Sequence, residues 1–205
     1  KQYASAFGFG HRLPFDIPTE PSALDIPDDE LEFARTSAGF WHSYLSPLHG
    51  ALVAATIANG GKMPRAYMVE TVRYPCGELK VPRDMKPFRS VLSASTANAL
   101  ADMMQRTVSK GTSFKAFHDP KGNPFLPGMA IAGKTGSLSS LDPYRAYSWW
   151  VGFAPAEAPR YVVSALLINS AQWRIKASFV AREALRFATQ KEPTAKHELQ
   201  AYTPG

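Results

Sequence analysis

Gly128-Met129-Ala130-Ile131-Ala132-Gly133-Lys134-Thr135-Gly136-Ser137 is the stretch on which the fold turns. From Gly128 to Thr135 it matches G-x-x-x-x-G-K-[ST], the pattern of a loop whose amides cradle phosphate as a helix begins at the lysine. Such a loop needs a buried strand before it. Asn123-Pro124-Phe125-Leu126-Pro127 stands there instead, and its prolines exclude a central strand. Gly136, three serines and Asp142-Pro143 follow Thr135, a poor start for a helix. Met129-Ala130-Ile131-Ala132 reads as strand rather than as a flexible cradle, and Tyr161–Ile168 ends in Asn169 where a metal-binding Asp would be needed. Lys134 therefore belongs on an extended strand.

On a strand, Lys134-Thr135-Gly136 has a different chemistry. A cation and a hydroxyl side by side suit a substrate carboxylate, which assigns that task to Lys134 with Thr135 or Ser137. Glycine at position 136 lets a ligand approach the backbone with no Cβ in the way. The strand edge beyond can pair with an extended peptide, and a backbone N–H there can serve an oxyanion. A bare tripeptide is also what any turn entering a strand can contain, so the surrounding chain has to decide.

Downstream, Arg145–Phe153 and Arg160–Ile168 read as two strands of a hairpin, after a short polar turn that follows Gly136. Both are apolar on both faces, so helices are expected to cover the sheet on both sides. Adjacent Trp149 and Trp150 face opposite ways, and core packing is expected of both. Ala177–Ala188 follows as a helix with Val180, Ala184 and Phe187 on one face, and from about Gln190 the chain is polar and loose. Upstream, Ser46-Pro47 caps a helix that runs to Gly60-Gly61. Ser93 or Ser95 opens a second helix with Ala97, Leu100, Met104 and Val108 on one face, ending at Gly111. A strand is expected over Ala66–Val72 and a loop over Phe117–Gly128. Residues 1–45, rich in Gly, Pro and acidic side chains, read as mostly irregular.

Composition sets outer limits. A chain of 205 residues with 45% apolar and 20% charged residues fits one domain with a substantial core. No apolar run nears the roughly 18 residues of a membrane helix, and no secretory leader opens the chain. Cys76 is the one cysteine, which excludes an internal disulfide and a thiolate metal site. The net charge of +6 is scattered, with no basic run of five, so nucleic acid is not an expected partner. His11, His42, His49, His118 and His197 form no i, i+4 pair, so no metal and no cofactor is expected. His49 reads as a core or rim histidine, Asp16 and Glu20 as loop anchors, and Arg145 and Arg174 as solvated surface charge.

With these segments in order, the chain resembles the penicillin-binding proteins over roughly residues 3–188. Ala6-Phe7-Gly8-Phe9-Gly10, then Pro14 to Glu20, is similar to the family's Gly-Phe-Gly stretch ahead of a Pro-x-Glu segment. Ser46-Pro47-Leu48-His49 through Ala58-Asn59-Gly60-Gly61 resembles the helix ending in Ala-Asn-Gly-Gly. Val108 to Thr112 resembles the helix end whose Gly-Thr precedes Lys-Thr-Gly, and Trp150-Val151-Gly152-Phe153-Ala154-Pro155 resembles the next strand. Lys134-Thr135-Gly136 is then the third signature of serine acyltransferases that act on D-Ala-D-Ala peptides and β-lactams.

The resemblance implies an α+β fold, an antiparallel sheet with helices on both faces, incomplete in this chain. Residues 1–189 would be the carboxy-terminal part of a transpeptidase domain and 190–205 a polar tail. It implies a D,D-transpeptidase that cross-links peptidoglycan stem peptides through a serine ester and binds β-lactams. Lys134 would steer the substrate carboxylate and support proton transfer. Thr135 and Ser137 would hydrogen-bond that carboxylate, the Ser137 N–H would serve the oxyanion, and Gly136 would keep the edge clear. The implied location is the outer face of the cytoplasmic membrane or the periplasm, with any membrane anchor upstream of Lys1.

One departure is severe: no serine has a lysine three residues later, and no Ser-x-Asn occurs. In the family both motifs precede the Gly-Phe-Gly stretch, so the expectation is a piece of a larger protein that is inactive toward penicillin by itself. A serine β-lactamase or β-lactam sensor, and a non-catalytic scaffold that binds peptidoglycan or a partner, are the rival readings.

Overall fold

The computed structural model describes residues 2–39, 41–69, 72–75, 77, 79, 80 and 86–190. Cys76 and the tail from residue 191 lie outside the described residues, as does part of the strand expected over Ala66–Val72. At the centre, β7 (Ala132–Leu141), β8 (Tyr144–Ala154) and β9 (Tyr161–Asn169) form an antiparallel sheet in the order β7-β8-β9. The register pairs Gly133 with Gly152, Lys134 with Val151 and Thr135 with Trp150. β7 is longer than expected: Ser137–Leu141 continues the strand instead of forming a polar turn, and the reversal falls at Asp142-Pro143.

Helices cover both faces, as the two-sided apolar strands require. On one face lies α6 (Ala177–Gln190), whose Ala177, Ala181 and Leu185 pack with Trp150 and Ala165. The Ser148 hydroxyl accepts the Ala177 N–H at 3.0 Å and so satisfies one of the free amides at the helix start. The expected stripe of Val180, Ala184 and Phe187 is not the buried one; Phe187 is 58% exposed. The alanines win because their small side chains let the helix axis approach the sheet.

On the other face lies α3 (Pro47–Ala58), with the Ser46 side chain accepting the His49 N–H as N-cap. Its Gly50 approaches the sheet so closely that a Cβ there would stand 2.7 Å from the Ser164 hydroxyl oxygen. α4 (Ala94–Ser109) is capped by Ser93 and packs Met104 against Ala132 and Phe153. A single turn, α5 (Phe114–Phe117), follows it and buries Phe117 against Trp150.

The segment before α3 is more ordered than expected, since it holds α1 (Gln2–Phe7) and α2 (Glu30–Ser37). Asp29 caps α2 by accepting the Glu32 N–H at 2.9 Å, an Asp-x-x-Glu start that the sequence displays openly. Short pairs complete the fold: β1 (Ala23–Leu24) with β2 (Ser43–Tyr44), β3 (Lys62–Met63) with β6 (Arg89–Ser90), and β4 (Val72–Arg73) with β5 (Leu79–Lys80). Of the strand expected over Ala66–Val72, residues 66–69 are not in a strand, and Val72 opens β4. Among the described residues no helix is long and apolar enough to cross a membrane.

Candidate functional site

Packing beneath β7 dictates the shape of the site. A Cβ on Gly133 would lie 2.1 Å from the Trp150 ring, and one on Gly152 would lie 2.2 Å from the Ala132 carbonyl oxygen. These paired glycines make room for an indole that is fully buried across the strands. Gly133 is therefore a packing glycine inside a strand, with no helix following Lys134, and the phosphate-loop reading fails on geometry.

From this fixed base the candidate residues emerge toward solvent. Lys134 is exposed, and its Nζ donates to the Thr135 carbonyl at 2.7 Å. Half-buried Thr135 shares a 2.7 Å hydroxyl–hydroxyl hydrogen bond with Thr112 at the end of α4. A Cβ on Gly136 would stand 3.2 Å from the Trp149 Cβ, so its cross-strand neighbour also disfavours a side chain there. Ser137 is exposed and pairs in register with Ser148. Lys134, Thr135, Gly136 and Ser137 thus lie consecutively on a strand with one edge unpaired among the described residues, Thr135 and Ser137 on one face and Lys134 on the other.

Beside Ser137 a cleft of about 320 Å³ runs between Trp41, Leu138, Ser139 and Trp173. A larger groove of about 480 Å³ is walled by Trp149, Tyr147 and Leu166 on the sheet side and by Glu20 and Trp41 opposite. Core packing holds for Trp150, whereas Trp149 is half-buried on the groove wall. Trp41 and His42 have φ of 61° and 51°, unusual for non-glycine residues. His42 is held there by Glu32 at 3.1 Å and by the Asp25 N–H donating to its carbonyl at 2.8 Å. Hydrogen bonds from His42 first, and from Arg35, keep the Glu32 carboxyl below its usual range.

Other expectations resolve simply. Asp16 anchors a loop, accepting the Met68 and Val69 N–H groups at 2.6 and 2.7 Å. Arg145 and Arg174 are exposed. His49 is fully buried and donates from Nε2 to the Phe7 carbonyl at 2.8 Å, while Nδ1 has no partner. No three described His, Cys, Asp or Glu side chains are grouped to hold a metal ion. In the sequence Thr112 stands out as part of a Gly-Thr helix end and as a chance echo of Ser-x-x-Lys in Thr112-Ser113-Phe114-Lys115, and Trp41 carries no signal. Neither residue's contact with the site has a local signal, because the partners lie far along the chain.

The penicillin-binding protein transpeptidase domain model matches residues 1–186. Peptidoglycan D,D-transpeptidase PbpA of Mycobacterium tuberculosis is 30% identical over 209 residues, covering 94% of this chain and 39% of that protein. Stage V sporulation protein D of Bacillus subtilis is 24% identical over 178 residues, covering 82% of this chain and 26% of that protein. Among solved structures, the imipenem acyl-enzyme of penicillin-binding protein A from M. tuberculosis superposes with a TM-score of 0.78 at 29% identity, over 92% of this chain and 41% of the other. A D,D-transpeptidase domain from Eggerthella lenta gives 0.74 at 27% identity, over 92% of this chain and 46% of the other. The chain thus spans less than half the length of each of these relatives.

Proposed function

Because the chain belongs to the penicillin-binding protein transpeptidase family, we propose that it supplies the carboxylate-binding strand of a D,D-transpeptidase acting on peptidoglycan stem peptides. The observation that carries this is the placement of Lys134, Thr135, Gly136 and Ser137 on an edge strand held by the Gly133–Trp150–Gly152 packing. Lys134 and the hydroxyls of Thr135 and Ser137 bind the terminal carboxylate of the substrate, and Lys134 supports proton transfer. A serine from the rest of the parent attacks the D-Ala-D-Ala carbonyl. The oxyanion is stabilised in part by the Ser137 N–H, and collapse expels D-Ala with a proton on its amine. A stem-peptide amine then attacks the ester, forms the cross-link and returns the proton to the serine. β-Lactams follow the first half of this path by ring opening, and their acyl-enzyme persists.

On this reading residues 1–189 are the carboxy-terminal part of the domain, and the parent works at the outer face of the cytoplasmic membrane or in the periplasm. The test is intact mass after penicillin treatment, on this chain and on a version extended upstream into the parent sequence. One adduct on the longer version alone is the expected result. No adduct on either would replace catalysis with a scaffold role and remove the task given to Lys134.

A further inference from the structure

Thr112 enters the site through a turn anchored on both sides. Gly111 folds the chain back onto α4 so tightly that a Cβ there would stand 2.9 Å from the Thr107 Cα. Ser113, on the other side, is fully buried; its N–H donates to the Thr107 carbonyl at 3.1 Å. The Ser113 hydroxyl accepts the Trp150 indole N–H, also at 3.1 Å. Trp150 is in turn the register partner of Thr135. Thr112 is therefore fixed between two anchored neighbours, and its Oγ1 stands 2.7 Å from that of Thr135.

A hydroxyl has one proton to give and two lone pairs to offer. If Thr135 donates to a substrate carboxylate, it cannot also donate to Thr112, so Thr112 must be the donor between them. We propose that Thr112 is a positioning residue: its hydroxyl holds the Thr135 side chain in one rotamer and turns the Thr135 proton toward the bound carboxylate. The two hydroxyls and the anion form a polarised chain in which each hydrogen bond strengthens the next. This inference rests on the carboxylate-binding role given to Thr135 above.

The upstream-extended protein provides the test, with benzylpenicillin acylation resolved into a pre-covalent dissociation constant and a limiting rate. Thr112→Val should raise the dissociation constant about tenfold while changing the limiting rate little, as expected for losing support to one charge-assisted hydrogen bond. Thr112→Ser, which keeps the hydroxyl, should restore binding to within about twofold. With penicillin methyl ester, whose carboxylate is masked, Thr112→Val should have no effect. In a Thr135→Val background it should add no further loss. Equal losses with acid and ester, or additive losses in the double variant, would overturn the positioning role and leave Thr112 a structural residue. Failure of the unsubstituted protein to acylate at all would remove the transpeptidase reading, and this inference with it.

Discussion

Between Ala132 and Asn169, position is set by backbone pairing and by an indole that fills the space two glycines leave. Between Gln2 and Tyr44 it is set by single polar groups reaching across the chain, because no described apolar side chain there is buried. His49 holds the Phe7 carbonyl, Arg89 donates to the Ser5 and Ala6 carbonyls, and Asp16 holds the amides of Met68 and Val69. Close packing is the stronger and less forgiving of the two means, since a core yields to added volume only by strain. The candidate anion-binding residues stand on the packed region. Trp41, across the cleft from Ser137, stands on the tethered one.

Substitutions in the upstream-extended protein can break this contrast. The largest effect is expected from Gly133→Ala, whose Cβ would overlap the Trp150 ring, at about 3 kcal/mol or more in urea unfolding. Trp150→Phe should cost about 2–3 kcal/mol, because it opens a void and leaves the Ser113 hydroxyl without its donor. Should Gly133→Ala cost no more than a change in the first 44 residues, the contrast collapses.

The tethered region has a pH signature. Burial, chiefly, holds the His49 imidazole below its ordinary value of 6.5; Arg89 adds to the depression and the hydrogen bond to Phe7 opposes it. With Nε2–H committed to Phe7, a second proton would fall on Nδ1, which has no acceptor nearby. Unfolded His49 protonates near 6.5 and folded His49 resists, so its stabilisation is complete above that pH and is lost as pH falls toward the folded value. Urea unfolding across that range should show stability falling on acidification, and His49→Gln should flatten the slope. An unchanged slope would detach His49 from the effect. The smallest change is expected from Asp29→Ala, which uncaps α2 at a cost of about 1 kcal/mol by the same measurement.

The contrast also explains what could be read in advance. The sheet strands and the helices after Ser46 and Ser93 were legible because cap, periodicity and stop signals coincide within a few residues. The site strand was legible through Lys134-Thr135-Gly136, but the length of β7 was not: Ser137, Ser139 and Ser140 resemble turn residues unless their partners on β8 are known. α6 carries two apolar stripes, and spacing alone could not decide that Ala177, Ala181 and Leu185 face the sheet. α2 was missed among prolines even though Asp29 and Glu32 mark its start. The Thr112–Thr135 contact joins residues 23 apart through a turn, and no local pattern announces it.

The tethers have a temporal consequence. Phe7 waits for a partner 42 residues later, Asp16 for one 52 later and Ser5 for one 84 later. At roughly 5–20 residues per second of synthesis, Ser5 is made about 4–17 s before Arg89 is available to receive it. The first stretch of this sequence to be translated thus cannot settle until residue 89 exists. For those seconds it is open to proteases and chaperones while the strand bearing Lys134 has not yet been made.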